Sequence, residues 1–169
     1  MTADVKSLFV YRDGNLYRLK ALGGMKAGSL VGWESTHNGK RYKRMTLNSV
    51  SYYLHQVIFL YHYGFIPKYI DHKDGNSLNN KIENLREATQ SQNVHNSQKR
   101  SSNTSGFKGV IWLKNRCKWR AQITVNGKNK NLGQFQDIND AAIAYEQATV
   151  KFFGEFAKAT NRMQDRAHQ

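Results

Sequence analysis

A single cysteine, Cys117, stands in 169 residues, which excludes an internal disulfide and any cysteine-based zinc site. Acidic side chains are scarce as well: 12 Asp and Glu face 26 Lys and Arg, giving a formal net charge of +14. No apolar run approaches the roughly 20 residues that a membrane-crossing helix needs. The opening residues MTADVKSLFVYRDGN lack the charged start and apolar stretch of a secretory signal, so the expectation is an intracellular protein with no membrane partner. What the sequence does hold is 12% aromatic residues, too many for a disordered basic tail. Hydrophobic residues make up 39%, enough for small cores. The length suits one ordinary domain or two small ones, and so large a positive field selects polyanions as partners.

The charge is unevenly placed. Between Glu87 and Asp137 there is no acidic residue, while nine Lys or Arg fall in the gap. That stretch reads as strand, not as the amphipathic helix a membrane surface would require, which favours nucleic acid. Residues 1–66 show short alternating segments separated by tight turns at Asp13-Gly14 and Asn38-Gly39, a hairpin signal. From Val50 to Tyr63 apolar residues recur at three- and four-residue spacing, which predicts a short helix stopped by Gly64 and Pro67.

Residues 96–105 carry no apolar side chain and predict a polar, cationic linker. Beyond it, Trp119, Ala121, Ile123 and Val125 alternate with Arg120, Gln122, Thr124 and Asn126, as in a strand with one apolar and one cationic face. Asn126-Gly127 turns into a second strand ending near Phe135, and Phe107 to Leu113 predicts a third. From Asn139, a suitable N-cap, an alanine-rich stripe through Ala141, Ala142, Tyr145 and Ala148 predicts a helix lying close on the sheet, ended by Gly154. The basic side chains are expected on the opposite, open face.

The densest chemistry runs from Tyr69 to Asn96. Hydrolysing a phosphodiester needs a base to deprotonate water and a hard cation to stabilise charge on the phosphate. Asp71 and His72 adjoin at the end of a short apolar strand, and Asp74-Gly75-Asn76 is a turn that would break it. A carboxylate there can hold a metal while an imidazole of ordinary pKa near 6.5 faces the water.

With Asn84 twelve residues after His72 and Asn93 nine further on, the segment 53–96 resembles the HNH nuclease motif in its phage and intron-encoded homing form. His55 upstream, the Asn79-Asn80 pair and Ile82-Glu83-Asn84-Leu85-Arg86 add to the resemblance. It implies a ββα-metal core in which Asp71 is a metal ligand, His72 the general base, Asn84 a brace for the loop that aims His72, and Asn93 the second metal ligand. A motif ending in histidine would put His95 in that last place. Aspartate and amide oxygens are hard donors, so the cofactor expected is Mg²⁺ or Mn²⁺. His55 and His62 are read as structural.

The C-terminal stretch 104–161 is similar to the APETALA-type domain of plant ethylene-response factors, on Ser105-Gly106-Phe107-Lys108-Gly109-Val110, Trp119-Arg120-Ala121-Gln122-Ile123, Asn126-Gly127-Lys128, Leu132-Gly133-Gln134-Phe135 and Asp140-Ala141-Ala142. The resemblance implies a three-stranded sheet whose open face enters the DNA major groove through Lys108, Ile111, Lys114, Arg116, Arg120, Gln122, Thr124 and Asn129. Arg120 and Gln122 suit guanine and adenine edges. Lys114, Arg116, Lys128 and Lys130 suit phosphates.

The expectation is thus an α+β chain: an HNH domain over 1–96 with β-hairpins before its core, a linker over 97–104, an APETALA-type domain over 105–161 and a tail over 162–169. Its expected activity is metal-dependent hydrolysis of double-stranded DNA by a monomer or weak dimer in the cytoplasm of a bacterial host, with no small-molecule cofactor. One site per chain implies a nick unless the protein dimerises. A non-catalytic DNA-binding regulator on the same scaffold is the alternative.

Overall fold

The computed structural model describes residues 5–96 and 102–157. They form two compact units that divide at Ala88/Thr89, both mixed α/β with small antiparallel sheets. No described helix is long and apolar enough to cross a membrane.

In the first unit a short helix α1 (Val5–Leu8) leads into a hairpin of β1 (Phe9–Arg12) and β2 (Asn15–Arg18). Its two-residue turn is Asp13-Gly14 with φ of 46° and 78°, the doubly positive geometry that matches the twist of paired strands. A meander follows of β3 (Trp33–His37), β4 (Lys40–Leu47) and β5 (Val50–Tyr53), with Asn38-Gly39 turning the first hairpin in the same way. Val50–Tyr53 is therefore strand, not the first turn of a helix. Asn48 and Ser49, both at positive φ, reverse the chain so that Val50 pairs with Leu47 and Tyr53 with Arg44, and tertiary pairing overrides the local spacing. Helix α2 (Leu54–Tyr63) begins only there, where the Tyr53 amide donates to Gln56 Oε1 at 3.0 Å. It ends at Gly64, whose φ of 81° and amide bond to the Leu60 carbonyl close the last turn. Leu54, Val57, Ile58, Phe59 and Leu60 of α2 are buried with Phe9, Leu16, Val31, Met45, Ile70 and Leu85 in one core. The unit finishes with β6 (Ile70–His72) paired antiparallel to β7 (Leu85–Glu87), the loop between them ending in a 3-10 turn over Ile82–Asn84.

The second unit begins at Thr89, eight residues before the expected linker, and its first element is α3 (Gln90–Asn96). Residues 97–101 of that linker, and residues 158–169 with the tail, lie outside the described residues. Strands β8 (Val110–Leu113), β9 (Lys118–Val125) and β10 (Lys128–Phe135) form a sheet in the order β10-β9-β8. The third strand starts at Val110, not Phe107, because Asn103 and Ser105 hold the preceding turn: the Gly106 amide donates to Asn103 Oδ1 at 2.7 Å, and Ser105 Oγ donates to the Phe107 carbonyl at 2.9 Å. Helix α4 (Ile138–Phe153) is capped by Asp137, whose carboxylate accepts from the Asn139 amide at 2.7 Å. Asn139 is thus the donor at this helix start and Asp137 the cap, a stronger arrangement because a carboxylate also complements the helix dipole. Ala141 and Ala142 pack with Val110 and Ala121. Gly109, at φ +74°, leaves no room for a β-carbon, which would lie 2.1 Å from the Tyr145 ring.

Candidate active site

The β6–β7 pair and its loop gather the chemistry of the first unit. Register sets Asp71 opposite Arg86 and His72 opposite Leu85. Asp71, His72, Asn80 and Asn84 are all buried. Arg86 Nε donates to Asp71 Oδ2 at 2.9 Å, an ion pair shielded on both sides. His72 Nε2 lies 3.0 Å from Asn80 Oδ1. An amide oxygen only accepts, so Nε2 carries the proton in that bond and the neutral ring's lone pair is on Nδ1. Burial pushes the His72 imidazole below its ordinary value, against the opposing pull of the Asn80 bond and of the Asp74 and Asp71 carboxylates. The imidazole expected to face water at an ordinary pKa is instead buried and held below that value, which favours its uncharged form, the state in which an imidazole accepts a proton.

Asn84 ties the loop down. Its Nδ2 donates to Asp74 Oδ1 at 3.0 Å and to the Asn79 carbonyl at 2.8 Å, while its Oδ1 accepts from the Asp74 amide at 3.1 Å. Asp74 also accepts from the Asn76 amide and from Asn79 Nδ2. Burial alone would raise the Asp74 pKa; the bonds from Asn79, Asn76 and Asn84 outweigh it and leave the carboxyl below its ordinary value. Asn84 is therefore wired into the loop leaving His72, and its backbone carbonyl takes the Lys73 amide at 2.9 Å.

Residues 52–95, which span this site, match the family model described as HNH endonuclease. Over 97 residues the chain is 40% identical to protein 3.8 of Escherichia phage T7, an overlap of 56% of this chain and 79% of that one. The chain belongs to the protein 3.8 family. It carries an HNH endonuclease domain, a nuclease module. Over 107 residues it is also 36% identical to a protein of Acanthamoeba polyphaga mimivirus named as an uncharacterized HNH endonuclease, covering 62% of this chain and about half, 54%, of the relative. No solved structure matches the chain.

The donor chemistry of the HNH domain suits a hard divalent cation. Asp71 offers carboxylate oxygen, one atom of which already meets Arg86. Among the described residues no cluster of three or more His, Cys, Asp or Glu assembles. A cation held at Asp71 would therefore draw most of its shell from water and phosphate oxygens, as Mg²⁺ commonly does.

Two neighbours of His72 were not legible as such. Asn80 entered the resemblance only as part of the Asn79-Asn80 pair, with no role of its own. His55, read as a structural histidine of α2, stands edge-on to His72 with ring centroids 5.0 Å apart and stacks on Tyr53 at 5.4 Å. Burial, reinforced by the charge of His72, holds the His55 imidazole down to about 3. The unfolded ring titrates near 6.5, so between these values the unfolded chain binds the additional proton. Stability contributed by the neutral ring is present above about pH 6.5 and is lost as pH falls, by at most ~1.4 kcal/mol per pH unit. His55→Phe is expected to flatten the dependence of the urea midpoint on pH between about 4 and 6.5; an unchanged slope would show that His55 titrates alike in both states.

The second unit sorts the residues expected at DNA. Directly opposed residues of an antiparallel pair share a face, so the registers Ile111↔Arg120↔Gln134, Gln122↔Asn131 and Thr124↔Asn129 place these side chains together on one face, with Thr124 Oγ1 donating to Asn129 Oδ1. Lys114 and Arg116 lie in the turn between β8 and β9. The expectation that all the basic side chains share the open face is corrected by parity. Lys130 opposes the buried Ile123, and its ammonium sits over the Phe152 ring of α4 at 5.6 Å; Lys128 opposes Val125 in the same phase. Lys108 Nζ donates to the Val94 and His95 carbonyls at the end of α3. His95, the alternative to Asn93, bonds the Thr124 carbonyl through Nε2 at 2.8 Å and stacks on Phe153 at 3.8 Å, inside the second unit. Asn93 sits mid-way along α3, its amide bonded to the Thr89 carbonyl.

Proposed function

We propose that the chain is a metal-dependent endonuclease that cuts one strand of double-stranded DNA at a site chosen by its C-terminal unit. The observation that carries this is the setting of His72: a buried imidazole held below its ordinary pKa, its Nε2 3.0 Å from Asn80 Oδ1, and adjacent in sequence to a carboxylate within an HNH domain. In this reading His72 takes the proton of a water aimed at the phosphorus, its Nδ1 lone pair forming the new N–H bond. Asn84 and Asp74 keep the outgoing loop from relaxing as the ring becomes cationic, and the nearby Asp71 and Asp74 carboxylates favour that cation. Asp71 is the residue of the first unit proposed to hold a Mg²⁺ or Mn²⁺ ion, which when bound supplies charge neutralisation at the phosphate.

The test is nicking of supercoiled plasmid by the full chain. Open-circular product is expected with Mg²⁺ and none in excess EDTA, whereas undiminished cleavage in EDTA would remove the metal from the mechanism. A chain that binds duplex DNA tightly but leaves it uncut under every divalent ion would instead be a DNA-binding regulator.

The second unit's resemblance to an APETALA-type domain is proposed on its sheet-and-helix pattern and on the shared face of Arg120, Gln122, Thr124 and Asn129. Arg120 stands at the centre of that face, between Ile111 and Gln134. Arg120→Ala is expected to weaken binding to the preferred duplex by about 1–3 kcal/mol while changing nonspecific binding little. Equal loss on both would show that Arg120 touches only backbone.

A further inference from the structure

We propose that Asn80 is the positioning residue that fixes which nitrogen of His72 carries the proton, and that it is held for this task by the N-terminal hairpin β1–β2, which lies outside the matched HNH segment. The inference rests on the reading of His72 as the base and deepens it. Asn80 is 2% exposed and His72 8% exposed, so no solvent competes for the 3.0 Å bond between Asn80 Oδ1 and His72 Nε2. A neutral imidazole divides its proton between two nitrogens unless a neighbour decides, and a buried acceptor on one side decides it. Asn80 Nδ2 is buried and has no hydrogen-bond partner among the described residues. A buried donor left unsatisfied is costly, so the bond its oxygen makes is what this side chain contributes here.

The hairpin explains why Asn80 stays in place. The Ile82 amide donates to the Tyr11 hydroxyl at 3.0 Å, and Lys81 Nζ meets Asp13 Oδ1 at 2.6 Å. Gly14, at φ +78°, lies so close that a β-carbon there would stand 2.9 Å from the Lys81 nitrogen and 3.1 Å from the Asn80 carbonyl carbon. The turn of the hairpin thus presses on the peptide that carries Asn80, while Asn79 on its other side is bound to Asp74 and Asn84. Asn80 is clamped from both flanks and has one side-chain oxygen to offer.

The experiment reads the tautomer directly by ¹⁵N NMR of the histidine rings in the full chain at mildly alkaline pH, beside single-turnover nicking. Wild type is expected to show His72 as the Nε2–H form. In Asn80→Ala the signal moves toward the other tautomer, and the cleavage rate constant falls about 10–100-fold with the KM for DNA within about twofold. Asn80→Asp, which keeps an acceptor oxygen, retains the Nε2–H form and recovers most of the rate even if the alanine variant is unstable. Tyr11→Phe, remote from His72, lowers the rate in the same direction by a few-fold. An unchanged tautomer in Asn80→Ala, or a loss carried by KM, overturns the assignment; an inert Tyr11→Phe removes the hairpin from it. If His72→Ala cut as fast as wild type, the base would be misassigned, but the tautomer result would stand by itself.

Discussion

His72→Ala is expected to lower the plasmid-nicking rate by about 10²–10⁴-fold, the contribution of a positioned acid–base group, while the affinity for DNA stays within about twofold. The two quantities separate because the ring is 8% exposed, so it has little surface to lend to binding a long duplex whose affinity comes from cations spread along the chain. The variant also strips Asn80 Oδ1 of its donor and leaves a gap beside His55. Some stability is therefore lost, about 1–3 kcal/mol for the orphaned acceptor. Thermal unfolding of the same preparation tells the two losses apart: a folded variant that binds and does not cut has lost its base, and a folded variant that cuts at the wild-type rate never needed this one.

Much of the first unit could be read ahead of its structure because the deciding signals are local. Asp13-Gly14 and Asn38-Gly39 announce their turns through the positive φ that few residue pairs tolerate. The HNH segment is recognisable because its spacing is fixed by one short strand pair and one loop, and the Asn84 network shows why that spacing is rigid. What could not be read depends on contacts between segments distant in sequence. Val50–Tyr53 has helical spacing and becomes strand because β4 pairs with it. Asn80 gains its meaning from a hairpin some 65–70 residues upstream, through Tyr11 and Gly14. His55 borders His72 only because α2 packs into the shared core.

The second unit fails in an instructive way at its lysines. Alternation assigned faces correctly along β9, where Ala121 and Ile123 are buried and Arg120, Gln122 and Thr124 share the other side. The same rule carried through the Asn126-Gly127 turn puts Lys128 and Lys130 in phase with Val125 and Ile123. Counting charge without counting parity placed them on the open face. A Lys stem is long and apolar enough to lie along a helix and keep its ammonium over Phe152, so charge alone is a poor guide to which face of a two-layer unit it serves.

Asp71→Ala is expected to destabilise the chain by about 3–5 kcal/mol, the cost of leaving a buried partner charge uncompensated, and to abolish nicking. The Arg86 side chain is 12% exposed and that of Asp71 is 3% exposed, so water cannot take over the carboxylate's part in the pair. The destabilisation alone would inactivate the enzyme and says nothing about a cation, which is why the double variant Asp71→Ala/Arg86→Met decides. Replacing both members of a buried ion pair by apolar groups is often neutral, so the unfolding midpoint should return to near the wild-type value, measurable in urea. If Asp71 serves only to neutralise Arg86, cleavage returns with stability. If Asp71 also supplies oxygen to a divalent ion, the double variant is folded and silent, and Mn²⁺ binding read by electron paramagnetic resonance is lost with it. Recovery of cutting in the double variant would assign Asp71 to the scaffold and leave His72 to work with a cation held elsewhere.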